Sequence, residues 1–162
     1  MGLRSPRMRL TDLLTPERVG IQPNGDGFDK AQALVRLATM LAVGAKLDRA
    51  EILRVLDERE KLQSTGIGEG VAIPHAALPQ LEGQHAALLI VPVGVEFAAI
   101  DGDRVTILFA VIGPKRATGE HLKTLARVSR LLRNRAFRER LVAAPDAATA
   151  YELIATEEQG AK

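Results

Sequence analysis

The chain of 162 residues contains no cysteine and no tryptophan. Without cysteine there is no disulfide, no thiolate nucleophile and no Cys-based zinc site, and the composition fits a reducing cytoplasm. Aromatic residues make up only 3%, too few to build a stacking platform for single-stranded nucleic acid. The formal net charge of +2 is too small for a phosphate-neutralising surface, so no nucleic-acid partner is expected. No apolar run approaches the roughly 20 residues that cross a bilayer, so no direct membrane insertion is expected. Residues 1–9 are basic but have no apolar signal core, and Pro6 occupies the Ser/Thr position of a myristoylation site. There is no G-x-x-x-x-G-K-[ST] loop and no kinase signature set, hence no expected nucleotide or other cofactor. Internal repeats and low-complexity segments are absent as well.

What is present describes one folded domain. Hydrophobic residues reach 46%, enough for one substantial core at this length. Residues 1–9 are expected as a loose tail, 10–156 as the domain and 157–162 as a frayed C-terminal tail. Residues 10–14 fit a short helical turn or an edge strand, residues 15–17 a cap for a further turn, and residues 19–21 a weak strand. The cluster at residues 23–27 is a turn by composition. A helix is expected over 28–42, where Ala31, Leu34, Val35, Ala38 and Leu41 recur at three- and four-residue spacing. A second follows Asp48, read as its N-cap, and runs through Glu60.

Residues 86–93 and 105–112 are apolar without alternation, which fits strands covered on both faces. Asp101-Gly102 between them is a hairpin-type turn, so at least one pair is expected antiparallel. A shorter strand is expected over 71–73. A third major helix begins near Glu120, with His121, Leu125, Val128 and Leu132 on one face and Arg127, Arg130 and Arg133 on the other, solvated, face. Two more helices are expected at 136–143 and 146–156, the second capped by Asp146. The predicted fold class is therefore α/β, a single domain whose mixed parallel and antiparallel central sheet is flanked by helices on both faces.

The chemistry concentrates at Ser64-Thr65-Gly66-Ile67-Gly68-Glu69-Gly70-Val71-Ala72-Ile73-Pro74-His75. Three glycines at every second position allow positive φ and close backbone approach, and successive N–H groups in such a turn suit an anion. Pro74 fixes its own φ and keeps Ile73 extended, so His75 is delivered by a stiffened backbone. An imidazole beside an anion cradle points to a phosphoryl acceptor, against the plainer alternative of an ordinary loop histidine. Ser64 and Thr65 either donate hydroxyl bonds to phosphate or only shape the turn. Glu69 either orients a histidine or is an exposed loop residue, and His85, in a polar segment, reads as a surface residue. His121 sits at a helix N-terminus, which favours the neutral ring. It is either a partner of His75 or a core-edge histidine bonded to backbone. A metal hydrolase built on His75 and His121 lacks a third ligand at any recognisable spacing.

This stretch resembles the active-site signature of the enzyme IIA domains of the phosphoenolpyruvate-dependent phosphotransferase system, fructose/mannitol class, and within it the nitrogen-regulatory branch. Arg59-Glu60-Lys61, Phe97-Ala98-Ala99-Ile100-Asp101-Gly102 and His121-Leu122-Lys123-Thr124-Leu125 are similar to family landmarks in family order. The resemblance covers about residues 10–156. It implies His75 as phosphoryl acceptor, His121 as its hydrogen-bond partner, and Arg59 as counter-charge rather than a mere helix-end cation. It also implies phosphoryl-binding roles for Ser64, Thr65, Gly66 and Gly68, with no metal. A histidine-containing phosphocarrier protein would be the donor, and regulated transporters, kinases or regulators the targets, in the cytoplasm. Such a chain is a phosphohistidine phosphotransfer component; whether it counts as an enzyme is left open. The alternatives are a sugar-branch enzyme IIA that passes phosphate to a transporter's B domain, or a module of the same fold that is not phosphorylated. Ala76 and Ala77 stand where the family often carries glycine and a basic residue, which bears on the last alternative. A docking rim of Ile67, Ala76 and Leu78 is expected around His75.

Overall fold

The computed structural model describes residues 9–160. The tail expected at residues 1–9 lies outside them apart from Arg9. Six strands form one mixed sheet: β1 (Val19–Ile21), β2 (Gly66–Gly68), β3 (Val71–Ala72), β4 (His75–Leu78), β5 (His85–Val95) and β6 (Val105–Pro114). Six helices surround it: α1 (Leu10–Leu14), α2 (Lys30–Ala42), α3 (Arg49–Leu62), α4 (Thr118–Leu131), α5 (Arg135–Val142) and α6 (Ala147–Gly160). Short 3₁₀ turns at Pro16–Arg18 and Lys115–Ala117 precede β1 and α4.

The two long apolar runs pair with each other at the centre. β5 and β6 are antiparallel, with Leu88 opposite Phe109 and Ile90 opposite Ile107. The register shifts between Ile90 and Val95, where Pro92 lies exposed; proline lacks a ladder donor and is tolerated only at such an irregularity. β1 extends the sheet by parallel pairing with β5. The other edge of β6 takes β3 and then β4, both parallel, and β2 closes that side as an antiparallel partner of β3.

Alternation along the central strands divides the core in two. Ala87, Leu89, Val91, Leu108, Ala110 and Ile112 face α2 and α3. Ala86, Leu88, Ile90, Ile107, Phe109 and Val111 face α1, α4, α5 and α6. Because neighbouring residues in register share a face, this alternation also decides where the histidines point.

Several boundaries differ from the sequence expectation. Helix α2 starts at Lys30 rather than Phe28 because the Asp29 carboxylate accepts from the Gln32 N–H at 2.9 Å and caps it. Asp48 does occupy the N-cap of α3, but its side chain makes no capping bond, and α3 continues to Leu62. Helix α4 begins at Thr118, which puts His121 inside its first turn. Arg127 is half-buried, unlike the exposed Arg130 and Arg133. Asp146 caps α6 as expected, accepting from Thr149 N–H at 2.7 Å. The expected tail from Glu157 is helical through Gly160. It is held there because Glu158 accepts from the Leu10 N–H at 2.5 Å and Glu157 pairs with Arg140 at 3.1 Å.

Candidate active site

His75 opens strand β4 rather than lying in a loop. The strand forms because an apolar run follows Pro74, whose carbonyl accepts the Val111 N–H at 2.9 Å and starts the ladder on β6. His75 is in register with Val111, so its ring faces α4. Its Nδ1 lies 2.7 Å from the carbonyl oxygen of Ile73. A carbonyl can only accept, so Nδ1 carries the proton and Nε2 keeps its lone pair. The side chain is half-buried. Its pKa is lowered, chiefly by burial; the Ile73 carbonyl opposes this, Arg59 adds to it and Glu60 opposes it.

His121 comes to His75 from the first turn of α4. The ring centroids are 5.8 Å apart with an angle of 54° between the planes. His121 is 8% exposed, and its buried Nδ1 has no hydrogen-bond partner among the described residues. The ring rests on β6 at Gly113, where an added Cβ would lie 3.1 Å from that nitrogen. Gly113 pairs with Ala77 and so presents to α4, two residues beyond the partner of His75. The pKa of His121 is lowered by burial first and by His75 second. Both rings are therefore held neutral near neutral pH, and an Nε2–H tautomer leaves His121 with one donor to offer.

Arg59, in the last turn of α3, lies close enough to depress the His75 pKa. It is half-buried, and its Nη1 donates to the Gln63 carbonyl at 2.8 Å.

The glycine-rich stretch is a hairpin, not an open cradle. Glu69 and Gly70 have φ of 58° and 79°, the positive values of a two-residue I′-type turn between β2 and β3. Two N–H groups of the stretch bind the chain's own oxygens: Gly66 N–H donates to Ser64 Oγ at 3.1 Å and Glu69 N–H to the Asp101 carboxylate at 2.9 Å. Gly66 is needed for packing, since a Cβ there would lie 2.9 Å from Ala99 Cα. The hydroxyls are engaged too. Ser64 donates to the Phe97 carbonyl at 2.7 Å, and Thr65 donates to the Glu60 carboxylate. The Ser64 and Thr65 hydroxyls and the Gly66 N–H are thus bonded within the protein, and the Thr65 carbonyl accepts the Ile73 N–H at 3.0 Å, two residues before His75. Glu69 is exposed and pairs with Arg138 at 3.1 Å rather than with a histidine.

His85 is in register with Ile112, on the opposite face of the sheet from His75, and is half-buried at the start of β5. Of the expected docking rim only Ile67 is exposed; Ala76 and Leu78 are buried, because even-numbered residues of β4 face α2 and α3. Leu62, Ile100 and Leu122 are exposed instead, at 83%, 77% and 60%. Leu62 ends α3 after Arg59, Leu122 follows His121, and Ile100 N–H bonds Gly66 C=O at 3.2 Å beside Ile67. The site also contains residues missed in the sequence: Gly113 and Glu60. Glu60 had a signal, since it continues the buried Ile52 and Leu56 positions at four-residue spacing.

Comparison with known proteins gives a consistent answer. The family model "Phosphoenolpyruvate-dependent sugar phosphotransferase system, EIIA 2" matches residues 12–157. A nitrogen regulatory protein of Bradyrhizobium diazoefficiens is 38% identical over 148 residues, covering 91% of this chain and 95% of that protein. One from Pseudomonas aeruginosa is 36% identical over 154 residues, covering 94% and 99%. The crystal structure of nitrogen regulatory protein IIA-Ntr from Neisseria meningitidis superposes with a TM-score of 0.81 at 29% identity, covering 90% of this chain and 98% of that one.

Proposed function

Because the chain belongs to the EIIA 2 family of the phosphoenolpyruvate-dependent sugar phosphotransferase system, we propose that it accepts a phosphoryl group on Nε2 of His75 and acts as a regulator through phosphorylation-dependent binding to partner proteins. The donor is a histidine-containing phosphocarrier protein, and the targets are transporters, kinases or regulators in the cytoplasm. The observation that carries this reading is the 2.7 Å contact from His75 Nδ1 to the Ile73 carbonyl, which leaves Nε2 as the nucleophile. The assignment to the regulatory branch is supported by the names of the Bradyrhizobium and Pseudomonas relatives.

In the transfer, the Nε2 lone pair attacks the phosphorus of the donor's phosphohistidine. The new P–N bond forms as the donor's P–N bond breaks, and the donor nitrogen keeps that electron pair. Nδ1–H stays on the Ile73 carbonyl, so the His75 ring gains positive charge while the phosphoryl oxygens remain anionic. Arg59 faces those oxygens, and the Nε2–H of His121 donates to them. Such a step is accelerated by positioning and fixed charge, without a nucleotide. The donor docks on the apolar rim of Leu62, Ile67, Ile100 and Leu122. Ala77 shares the His75 face, so the family's basic residue is missing from the side where the phosphate forms, and Arg59 carries more of the compensation.

The test is incubation with phosphorylated carrier followed by intact mass. Wild type should gain one acid-labile phosphoryl group and His75→Ala none. A mutant that still gains one, on His121 or His85, overturns the acceptor assignment. A wild-type protein that never gains one is instead the non-phosphorylated module.

A further inference from the structure

An ionic network centred on a buried carboxylate ends on the backbone that holds His75, and the transfer described above does not use it. Glu60 is only 7% exposed. Its carboxylate accepts from the Thr65 N–H at 3.1 and 3.2 Å and from the Thr65 hydroxyl. It pairs with Lys30 Nζ of α2 at 2.9 Å. Lys30 is fixed in turn, with Nζ 4.5 Å from the centroid of the Phe97 ring and 3.4 Å from the Phe97 carbonyl. A carboxylate taken out of water needs such partners to remain charged.

The chain of bonds continues past Thr65. The Thr65 carbonyl accepts the Ile73 N–H at 3.0 Å, and the Ile73 carbonyl accepts the His75 Nδ1–H at 2.7 Å. We propose that Glu60 is a positioning residue for His75: it anchors Thr65, and through Thr65 and Ile73 it fixes the carbonyl that selects the Nδ1–H tautomer and supports the positive charge developing on the ring. The arrangement parallels a carboxylate behind a catalytic imidazole, with two backbone hydrogen bonds interposed. The effect on rate rests on His75 being the acceptor; the effect on tautomer does not.

The experiment is ¹⁵N NMR of the His75 ring in the unphosphorylated protein, with phosphoryl uptake from the carrier measured alongside. Glu60→Ala should show a mixture of His75 tautomers and transfer about tenfold more slowly, the scale of one hydrogen bond to a charged group. Glu60→Gln, whose amide oxygen can still accept from Thr65 N–H, should retain the Nδ1–H tautomer and a rate within about threefold of wild type. Should Glu60→Ala fail to fold, Thr65→Val takes its place: it keeps the N–H and loses the hydroxyl, and should show a detectable second tautomer with about threefold slower transfer. A single wild-type tautomer in the folded Ala or Val variant overturns the proposal, even where the rate falls, because the loss then has another origin. A shifted tautomer in a protein that takes up no phosphate upholds the positioning role and overturns the acceptor reading.

Discussion

Gly113→Ala probes the role of His121 without removing it. Gly113 is in a strand, so alanine meets no backbone penalty there. The cost is crowding: the new Cβ would lie 3.1 Å from His121 Nδ1 and 3.2 Å from Gln84 Cγ, inside the roughly 3.5–4.0 Å of ordinary heavy-atom contact. Something must give by a few tenths of an ångström, and the His121 ring is the part that can tip outward from the first turn of α4. Overpacking of this kind costs about 1–3 kcal/mol, and each kcal/mol lowers Tm by about 2–4 °C at this size. In the proposed transfer a tilted ring would lose its N–H bond to the phosphoryl oxygens, about 1.5–3 kcal/mol, so transfer should slow by about ten- to a hundredfold. The assay is rapid-quench transfer from a labelled carrier, with thermal melts and an NMR titration of His121. The decisive comparison is Gly113→Ala against the double variant with His121→Ala. If the methyl acts through His121, the double variant transfers no more slowly than His121→Ala alone. A wild-type rate in Gly113→Ala, or full additivity in the double variant, refutes the reasoning.

Arg59→Gln should slow transfer or shorten the life of the phosphorylated protein while barely moving Tm, because the half-buried guanidinium donates to a local backbone carbonyl, that of Gln63; equal rates and lifetimes would reduce Arg59 to a helix-end cation. The pH dependence follows from the lowered pKa values of His75 and His121, each caused first by burial. As pH falls through the ordinary histidine value of about 6.5, the unfolded chain takes up protons that the native rings refuse. Their contribution to stability is therefore complete above that value and is lost towards the lowered native values, and the acid limb of transfer lies below 6.5 for the same reason. Denaturant melts between pH 8 and 5 check the sign, and stability that rises on acidification over this range contradicts it. On the apolar rim, Ile100→Asp and Leu122→Asp should raise KM for the carrier at least about tenfold yet shift stability by only about 0.5 kcal/mol, as exposed substitutions do; an unchanged KM would move the docking site elsewhere.

The long periodic elements were legible because their patterns were long: α2 and α4 by apolar stripe, β5 and β6 by unbroken apolar runs. Strand β4 was not, because four residues after a proline carry little pattern of their own and take their strand identity from β6. That placement determines the site, since the register of β6 turns His75 to α4, sends His85 to the other face and buries Ala76 and Leu78. The glycines at alternate positions read as an anion cradle because their partners, Ala99 and Asp101, lie some thirty residues away in sequence and are invisible to local spacing. Glu60 was hidden for a different reason: it sits on the apolar stripe of α3, but a glutamate near a helix end reads as solvated unless its partners Lys30 and Thr65 are known. The C-terminal turns of α6 read as frayed because their charges look solvent-bound, whereas Glu157 and Glu158 tie them to α5 and α1.

The most direct measurement is the ¹⁵N–³¹P coupling pattern of the phosphorylated protein, selectively labelled in the histidine ring nitrogens. A single phosphoryl group should couple to Nε2 of His75, with Nδ1 still bearing its proton and His121 unmodified. Coupling to Nδ1 of His75, or to either nitrogen of His121, would contradict it.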